Sequence, residues 1–171
     1  MSNKFKRLYR VSHLDELKDW CKSQAGMVRS TSTYVVGNRS EKWFEKGWTL
    51  AKSPTVFDAD RDPRIHALGQ RLYPGNHSCL FLHYQPNSYI KPHRDHPVSE
   101  NWVVQVNVGS PVYFQLEGQR YLVGDGEVIG FDSKLLHGTT ICSQERWVVS
   151  WRKIKPEYLV RQLDLDQYLQ A

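Results

Sequence analysis

Two histidines and an aspartate carry the clearest chemical signal in the sequence. His93 and Asp95 follow an apolar stretch as a His-x-Asp pair, and on an extended chain residues i and i+2 point to the same face. We therefore expect their nitrogen and carboxylate oxygen to reach one metal ion. Two histidines and one carboxylate on one side of a metal are the ligands of non-haem Fe(II) oxygenases. His137 is the only histidine after His96 and is the expected third ligand.

Two arginines flank the apolar segment RWVVSWR, which is predicted to be a strand. Because Arg146 and Arg152 are six residues apart, they share one face of that strand. A buried charge needs a partner, and the planar guanidinium pairs with a carboxylate through two parallel hydrogen bonds. An anionic co-substrate would supply that carboxylate. The alternative is that both arginines extend from the strand ends into solvent.

Taken together, these residues resemble the AlkB-like family of Fe(II)- and 2-oxoglutarate-dependent dioxygenases. The likeness runs from about residue 72 to residue 153 and includes the segments VQVNVGSPVYF and GDGEVIGFDSKLLHG. The positions that match the family pattern are, in chain order, Tyr84, His93, Asp95, His137, Arg146 and Arg152.

The resemblance implies a role for each of these positions. The three metal-ligand residues are expected to hold Fe(II), with 2-oxoglutarate and O2 as co-substrates. Tyr84 is expected to contact 2-oxoglutarate, Arg146 to pair with its far carboxylate, and Arg152 to lie near the end that binds iron. The implied reaction converts 2-oxoglutarate and O2 to succinate and CO2 while a C–H bond is hydroxylated. An N-methyl group hydroxylated in this way leaves as formaldehyde.

Three positions depart from the family pattern. Leu82 and Val148 stand where the family often has asparagines that help to hold the co-substrate. Pro97 stands where some members have an acidic residue that assists base recognition. These departures concern 2-oxoglutarate binding and base recognition, and they leave the expected iron ligands unchanged.

The leading hypothesis for function is oxidative demethylation of alkylated bases in DNA or RNA. Residues 1–71 carry 14 basic and 8 acidic side chains, a net charge of +6, whereas residues 72–171 carry 9 and 10, a net of −1. A basic N-terminal segment suits a polyanionic partner, although it is also typical of a solvated surface. Tyr34, Trp43 and Trp48 offer an aromatic face for a flipped base, or they anchor this segment to the core.

Two other hypotheses remain open from the sequence. The same core is compatible with a 2-oxoglutarate-dependent hydroxylase of a protein, a lipid or a small metabolite. It is also compatible with a non-catalytic nucleic-acid binding module, which the apolar residues Leu82 and Val148 would suit. The complete set of metal ligands and arginines argues against this last hypothesis.

The elements that must position these residues are predicted to be mainly β with flanking helices. Short runs rich in Val, Ile, Tyr, Phe and Trp alternate with turn residues after residue 77, which indicates a sandwich or jelly roll. The resemblance implies a double-stranded β-helix (jelly-roll) core. We expect one domain over residues 1–171, with an N-terminal α/β lid (1–71), the core (72–155) and a C-terminal helix (156–171).

Local signals predict individual elements at the two ends of the chain. Ser12 is the expected cap of a first helix, a strand is expected from Thr31 to Val36, and Asp62-Pro63 is expected to begin a second helix. In the C-terminal helix the apolar anchors are Leu159, Leu163 and Tyr168.

Composition sets the broader class. Hydrophobic residues make up 40% of the 171 residues and charged residues 24%, as in ordinary soluble domains. No apolar run approaches the roughly 20 residues needed to span a bilayer, so no membrane association is expected and the cytoplasm is the default location. Cys21, Cys79 and Cys142 are predicted to be reduced thiols. The sequence does not reveal the oligomeric state, and a monomer is the default.

Overall fold

The computed structural model describes residues 4–160, and its framework is almost entirely antiparallel β-structure. Residues 156–160, at the end of the described range, form a helical segment in addition to the two helices given next. The elements in chain order are β1 (Phe5–Arg10), α1 (Leu14–Ser23), β2 (Val28–Arg29), β3 (Val35–Val36), β4 (Arg39–Phe44), β5 (Lys46–Trp48), β6 (Val56–Asp58), α2 (Pro63–Leu72), β7 (Ser78–Tyr84), β8 (Tyr89–Ile90), β9 (Ser99–Gly109), β10 (Val112–Leu116), β11 (Gln119–Val123), β12 (Glu127–Asp132), β13 (His137–Thr139) and β14 (Arg146–Ile154).

Two facing sheets form the core. The larger sheet has the strand order β1-β12-β9-β14-β7-β4-β2, and the smaller one is formed by β11-β10-β13. The pair β3-β8 extends the smaller sheet, because a bridge between His93 and His137 joins the chain after β8 to β13. This arrangement is a jelly roll with flanking helices, and it confirms the predicted fold class.

The larger sheet separates two environments. Successive residues of a strand point to opposite faces, so each central strand presents one row to the helices and one to the space between the sheets. Apolar residues on the outer face pack with α1 and α2. On β14 the outer row is Trp147, Val149 and Trp151, and the inner row is Arg146, Val148, Ser150 and Arg152.

The second helix is fixed as its sequence predicts. Asp62 is the N-cap and Pro63 is the first helical residue, and the Asp62 carboxylate accepts hydrogen bonds from the amides of Arg64 and Ile65. The indole of Trp20 in α1 also donates to Asp62, at 2.8 Å, and thereby ties the two helices together. Partial burial raises the pKa of Asp62, but these hydrogen bonds and one from the Arg64 side chain outweigh it and lower the pKa to about 2.

The N-terminal segment contributes strands to both edges of the larger sheet. Strand β1 pairs with β12 at one edge, while β4 pairs with β7 near the other and carries β2 beyond it. The β5-β6 hairpin and the loop before β3 then lie at the mouth of the space between the sheets. Side chains of this segment can therefore reach the interior that the core strands line.

Two local predictions are wrong. The strand expected over Thr31 to Val36 is reduced to Val35–Val36, because the hydroxyls of Ser30 and Ser32 accept hydrogen bonds from nearby amides and hold a turn. The first helix begins at Leu14 with His13 at the cap position and no side-chain cap, so Ser12 does not cap it.

Two other expectations, a C-terminal helix and free cysteines, are met within the described residues. The predicted C-terminal helix begins at residue 156, whereas Leu163 and Tyr168 lie outside the described residues. Cys21, Cys79 and Cys142 are all free and buried. Between residues 4 and 160, no helix is long and apolar enough to cross a membrane.

Candidate metal centre

The three predicted metal ligands converge at one end of the space between the sheets. The ligand atoms of His93, Asp95 and His137 all lie within 4.8 Å of one another. Oδ1 of Asp95 is 3.6 Å from Nε2 of His93 and 3.5 Å from Nε2 of His137. His137 is buried and the other two side chains are nearly so.

Main-chain carbonyls determine which nitrogen of each histidine faces the centre. Nδ1 of His93 lies 3.0 Å from the carbonyl of Lys91, and Nδ1 of His137 lies 2.9 Å from the carbonyl of Leu135. A carbonyl can only accept, so each Nδ1 donates to it, and Nε2 is then the ring atom whose lone pair is available to a metal ion. Such contacts from the non-ligating nitrogen are typical of metal-binding histidines.

The donor set fits a divalent metal ion. Two bonds of about 2.1 Å that meet at 90° to 120° separate their donor atoms by about 3.0 to 3.6 Å, which matches the 3.6 Å and 3.5 Å between Asp95 and the two histidines. Nε2 of each histidine and Oδ1 of Asp95 face one another, and these are donor atoms that a divalent cation could take. Two histidines and one carboxylate on one side leave the other coordination positions open, as in non-haem Fe(II) sites.

The second oxygen of Asp95 belongs to an ion pair. Nε and Nη2 of Arg152 both lie 3.1 Å from Oδ2, so Oδ1 alone is directed at the histidines. Burial raises the pKa of Asp95, but Arg152 and the two histidines outweigh it and hold the pKa well below its usual range. The group is therefore a carboxylate whose orientation is fixed by the arginine.

Arg146 lies at the other end of the same strand face. It is 2% exposed, its Nε donates to the carboxamide oxygen of Asn107, and its guanidinium lies 5.0 Å from the ring centroid of Tyr84. Burial lowers the pKa of Arg146 because the charged form loses its hydration. Within residues 4–160, no carboxylate lies at ion-pair distance from it.

One cavity connects these groups. Its volume is about 800 Å³, and its walls include the three candidate ligands together with Tyr84, Arg146 and Arg152. Apolar side chains complete the inner walls: Leu80, Leu82, Ile90, Phe114, Phe131 and Val148. The cavity therefore has a metal-binding group at one place, a buried cation at another and an apolar surface between.

Solved structures share this architecture. OsALKBH1, an AlkB homologue, gives a TM-score of 0.64 at 13% sequence identity, with 90% of this chain and 99% of that one covered. An oxidoreductase of the 2OG-Fe(II) oxygenase family from Burkholderia pseudomallei gives 0.59 at 14%, with 88% and 85% covered. A Trichoplax adhaerens prolyl hydroxylase, in complex with a hypoxia-inducible factor oxygen degradation domain peptide, gives 0.65 at 14%, with 93% and 87% covered.

The chain has the fold of the 2-oxoglutarate- and Fe(II)-dependent oxygenases. No protein-family model and no curated protein matches its sequence. The likeness to an AlkB homologue that the sequence suggested is thus present in the three-dimensional fold, at low identity.

The three aromatic residues predicted to contact substrate all line the cavity of this oxygenase fold. Tyr34 is 46% exposed, and its ring stacks on that of His93 with centroids 5.2 Å apart. Trp43 and Trp48 form a tilted pair with centroids 4.6 Å apart. Trp48 is buried with Val56 and other core residues, whereas Trp43 is half-buried.

Sequence reasoning missed several polar residues of the cavity region, among them three that lie on β4 and β9. Arg39 and Glu41 line the cavity from β4, and Asn107 on β9 holds Arg146. The alternation in RSEKW places Arg39, Glu41 and Trp43 on one face, and VQVNV isolates its two amides on one face. This alternation is the sequence signal that could have identified these residues as members of the inner face.

Gly138 controls how closely the two histidine-bearing segments approach. A Cβ atom at this position would lie 2.8 Å from the carbonyl oxygen of Ile90 and 2.9 Å from the nitrogen of Pro92. Main-chain atoms cannot move aside as a flexible side chain can. A larger residue would therefore displace the segment that leads into His93.

We expect Gly138→Ala to weaken metal binding by about ten-fold or more while the chain still folds, because the ligand spacing changes. Competition with a fluorescent chelator for Fe(II) or Mn(II) measures the affinity, and circular dichroism checks the fold. Gly124→Ala is the matched control, since the nearest atoms to its Cβ are side-chain atoms of Arg10 and Glu127 at 3.5 Å. Equal metal affinity in the two variants would contradict this account of Gly138.

Proposed function

We propose that this protein is a Fe(II)- and 2-oxoglutarate-dependent dioxygenase that removes methyl groups from alkylated bases of DNA or RNA. The observation that carries the proposal is the pairing, in one cavity, of a three-ligand metal centre with a buried arginine that lacks an acidic partner among the described residues. A 2-oxo acid with a second carboxylate satisfies both features. His93, Asp95 and His137 would hold the metal, and Arg146 would receive the far carboxylate.

When bound, iron and 2-oxoglutarate supply the oxidation of a C–H bond by O2, with succinate and CO2 as products. Oxidation of an N-methyl group additionally yields formaldehyde and the unmethylated nitrogen. The residues of this chain hold and orient these groups. Arg152 fixes the carboxylate of Asp95, Tyr84 and Arg146 define the far end, and the apolar walls limit access of water.

Several features support a nucleic-acid substrate. Basic residues lie beside the segments that form the cavity mouth: Arg29 precedes residues 31–34, and Lys52 follows Leu50. Basic side chains at such places could contact phosphates, and phosphate contacts position a nucleic acid. Some other basic side chains of the N-terminal segment are paired within the chain, as Lys18 is with Asp125. The AlkB homologue among the structural neighbours also favours this substrate class.

Protein hydroxylation is the second candidate. The observation that favours it is the likeness to prolyl hydroxylases, one of them in complex with a peptide. A non-catalytic binding module is disfavoured, because such a protein has no use for three converging ligands and a buried cation in the same cavity.

Assay of methylated oligonucleotides tests the proposal. Protein is incubated with Fe(II), ascorbate, 2-oxoglutarate and methylated DNA and RNA, and mass spectrometry follows both succinate and the loss of one CH2 from each oligonucleotide. We expect demethylation by the wild type and none by His93→Ala. Succinate without any change in the oligonucleotides would favour the hydroxylase, and the absence of both products would refute an active dioxygenase.

The two tryptophans at the mouth are expected to behave differently. Trp48→Ala should destabilise the fold by about 3 to 5 kcal/mol, since its side chain is part of a buried cluster. Trp43→Ala should cost less stability and weaken oligonucleotide binding by about ten-fold, through the loss of one base-stacking surface. Thermal unfolding and fluorescence anisotropy measure the two effects. Unchanged oligonucleotide binding by a folded Trp43→Ala variant would remove Trp43 from the substrate site.

A further inference from the structure

Three residues on adjacent strands form a row across the inner face of the larger sheet. Tyr84 of β7 lies directly opposite Arg39 of β4 on one side and opposite Arg146 of β14 on the other. The two guanidinium carbons lie 5.6 Å and 5.0 Å from the centroid of the tyrosine ring. A tyrosine from the core is thus placed between two arginines, one from the core and one from the N-terminal segment.

Arg39 is buried to the same extent as Arg152 of the core. It is 7% exposed, and Nη1 donates to the Tyr84 hydroxyl at 3.2 Å. Nη2 donates to Ser30 Oγ at 2.8 Å and to Glu41 Oε2 at 3.0 Å. Its Nε has no hydrogen-bond partner among the residues that the structure describes.

The charges at this end of the cavity do not balance. Within residues 4–160, Glu41 is the carboxylate paired with Arg39, and Arg146 has none. Arg152 is neutralised separately by Asp95. Of the two buried guanidinium groups beside Tyr84, only that of Arg39 has a carboxylate partner among the described residues. A buried charge without a partner is costly.

The middle of the next row along the sheet offers no hydrogen-bond donor to an anion. Leu82 and Val148 occupy it between Glu41 and Asn107, and neither apolar side chain offers a hydrogen bond. A ligand that enters the cavity with an anionic end meets its hydrogen-bond donors in the row of Arg39, Tyr84 and Arg146.

We infer that Arg39 binds the co-substrate, and that it and Arg146 hold the far carboxylate of 2-oxoglutarate from the two sides of Tyr84. This inference rests on the proposed function and deepens it. The N-terminal segment then contributes directly to selection of a dicarboxylate. Strand β4 places the guanidinium of Arg39 beside the position of the far carboxylate.

The test compares two 2-oxo acids of equal chain length. 2-Oxoglutarate has the far carboxylate, whereas 2-oxopentanoate ends in a methyl group. Binding of each acid to anaerobic Fe(II)-loaded protein is measured by calorimetry, so the result does not depend on turnover. We expect Arg39→Gln to weaken 2-oxoglutarate binding by about ten- to hundred-fold, and to change 2-oxopentanoate binding by less than about two-fold.

Two further variants keep the result interpretable. Arg120→Gln removes an exposed arginine on β11 and should leave both affinities unchanged. If Arg39→Gln does not fold, Arg39→Lys keeps the charge but loses the fork, and should weaken 2-oxoglutarate binding alone. Equal weakening of both acids would show that Arg39 only packs against Tyr84, and no weakening would also overturn the inference. Wild-type protein that binds neither acid would instead overturn the proposed function itself.

Discussion

Two main-chain hydrogen bonds hold the candidate site together. The amide of His93 donates to the carbonyl of His137 at 2.8 Å, and the amide of His137 returns a bond of 2.9 Å. This antiparallel pair places the two histidines side by side. Two residues further on, the amide of Asp95 donates a hydrogen bond to the carbonyl of Ser133. Gly138 allows the close approach. The metal centre thus depends on the backbone, which holds its spacing even before an ion binds.

The larger sheet supplies the rest of the site through alternation. Because one face of β14 packs under the helices, the other face must point into the cavity, and there it presents Arg146 and Arg152 at opposite ends. One arginine orients Asp95, a candidate metal ligand, and the other has no anionic partner among the described residues. The geometry therefore calls for a ligand that reaches both the metal and a distant cation, which is the chemical form of 2-oxoglutarate.

Residues whose roles follow from near neighbours could be predicted from the sequence. The i, i+2 spacing identified His93 and Asp95, and the same reasoning placed the two β14 arginines on one face. Arg39 could not be predicted in this way, because its contact with Tyr84 spans 45 positions and exists only once β4 has paired with β7. The prediction of a strand from Thr31 to Val36 was wrong for the opposite reason. Serine hydroxyls there accept hydrogen bonds from nearby main-chain amides and so compete with strand pairing.

The central claim is that this cavity binds iron and 2-oxoglutarate together. Anaerobic addition of Fe(II) and then 2-oxoglutarate to the purified protein, followed by visible absorption, tests it most directly. The account predicts a charge-transfer band that saturates at one iron and one 2-oxoglutarate per chain, and that is lost in a folded His137→Ala variant. A folded wild-type protein that binds Fe(II) yet gives no band with 2-oxoglutarate would contradict it.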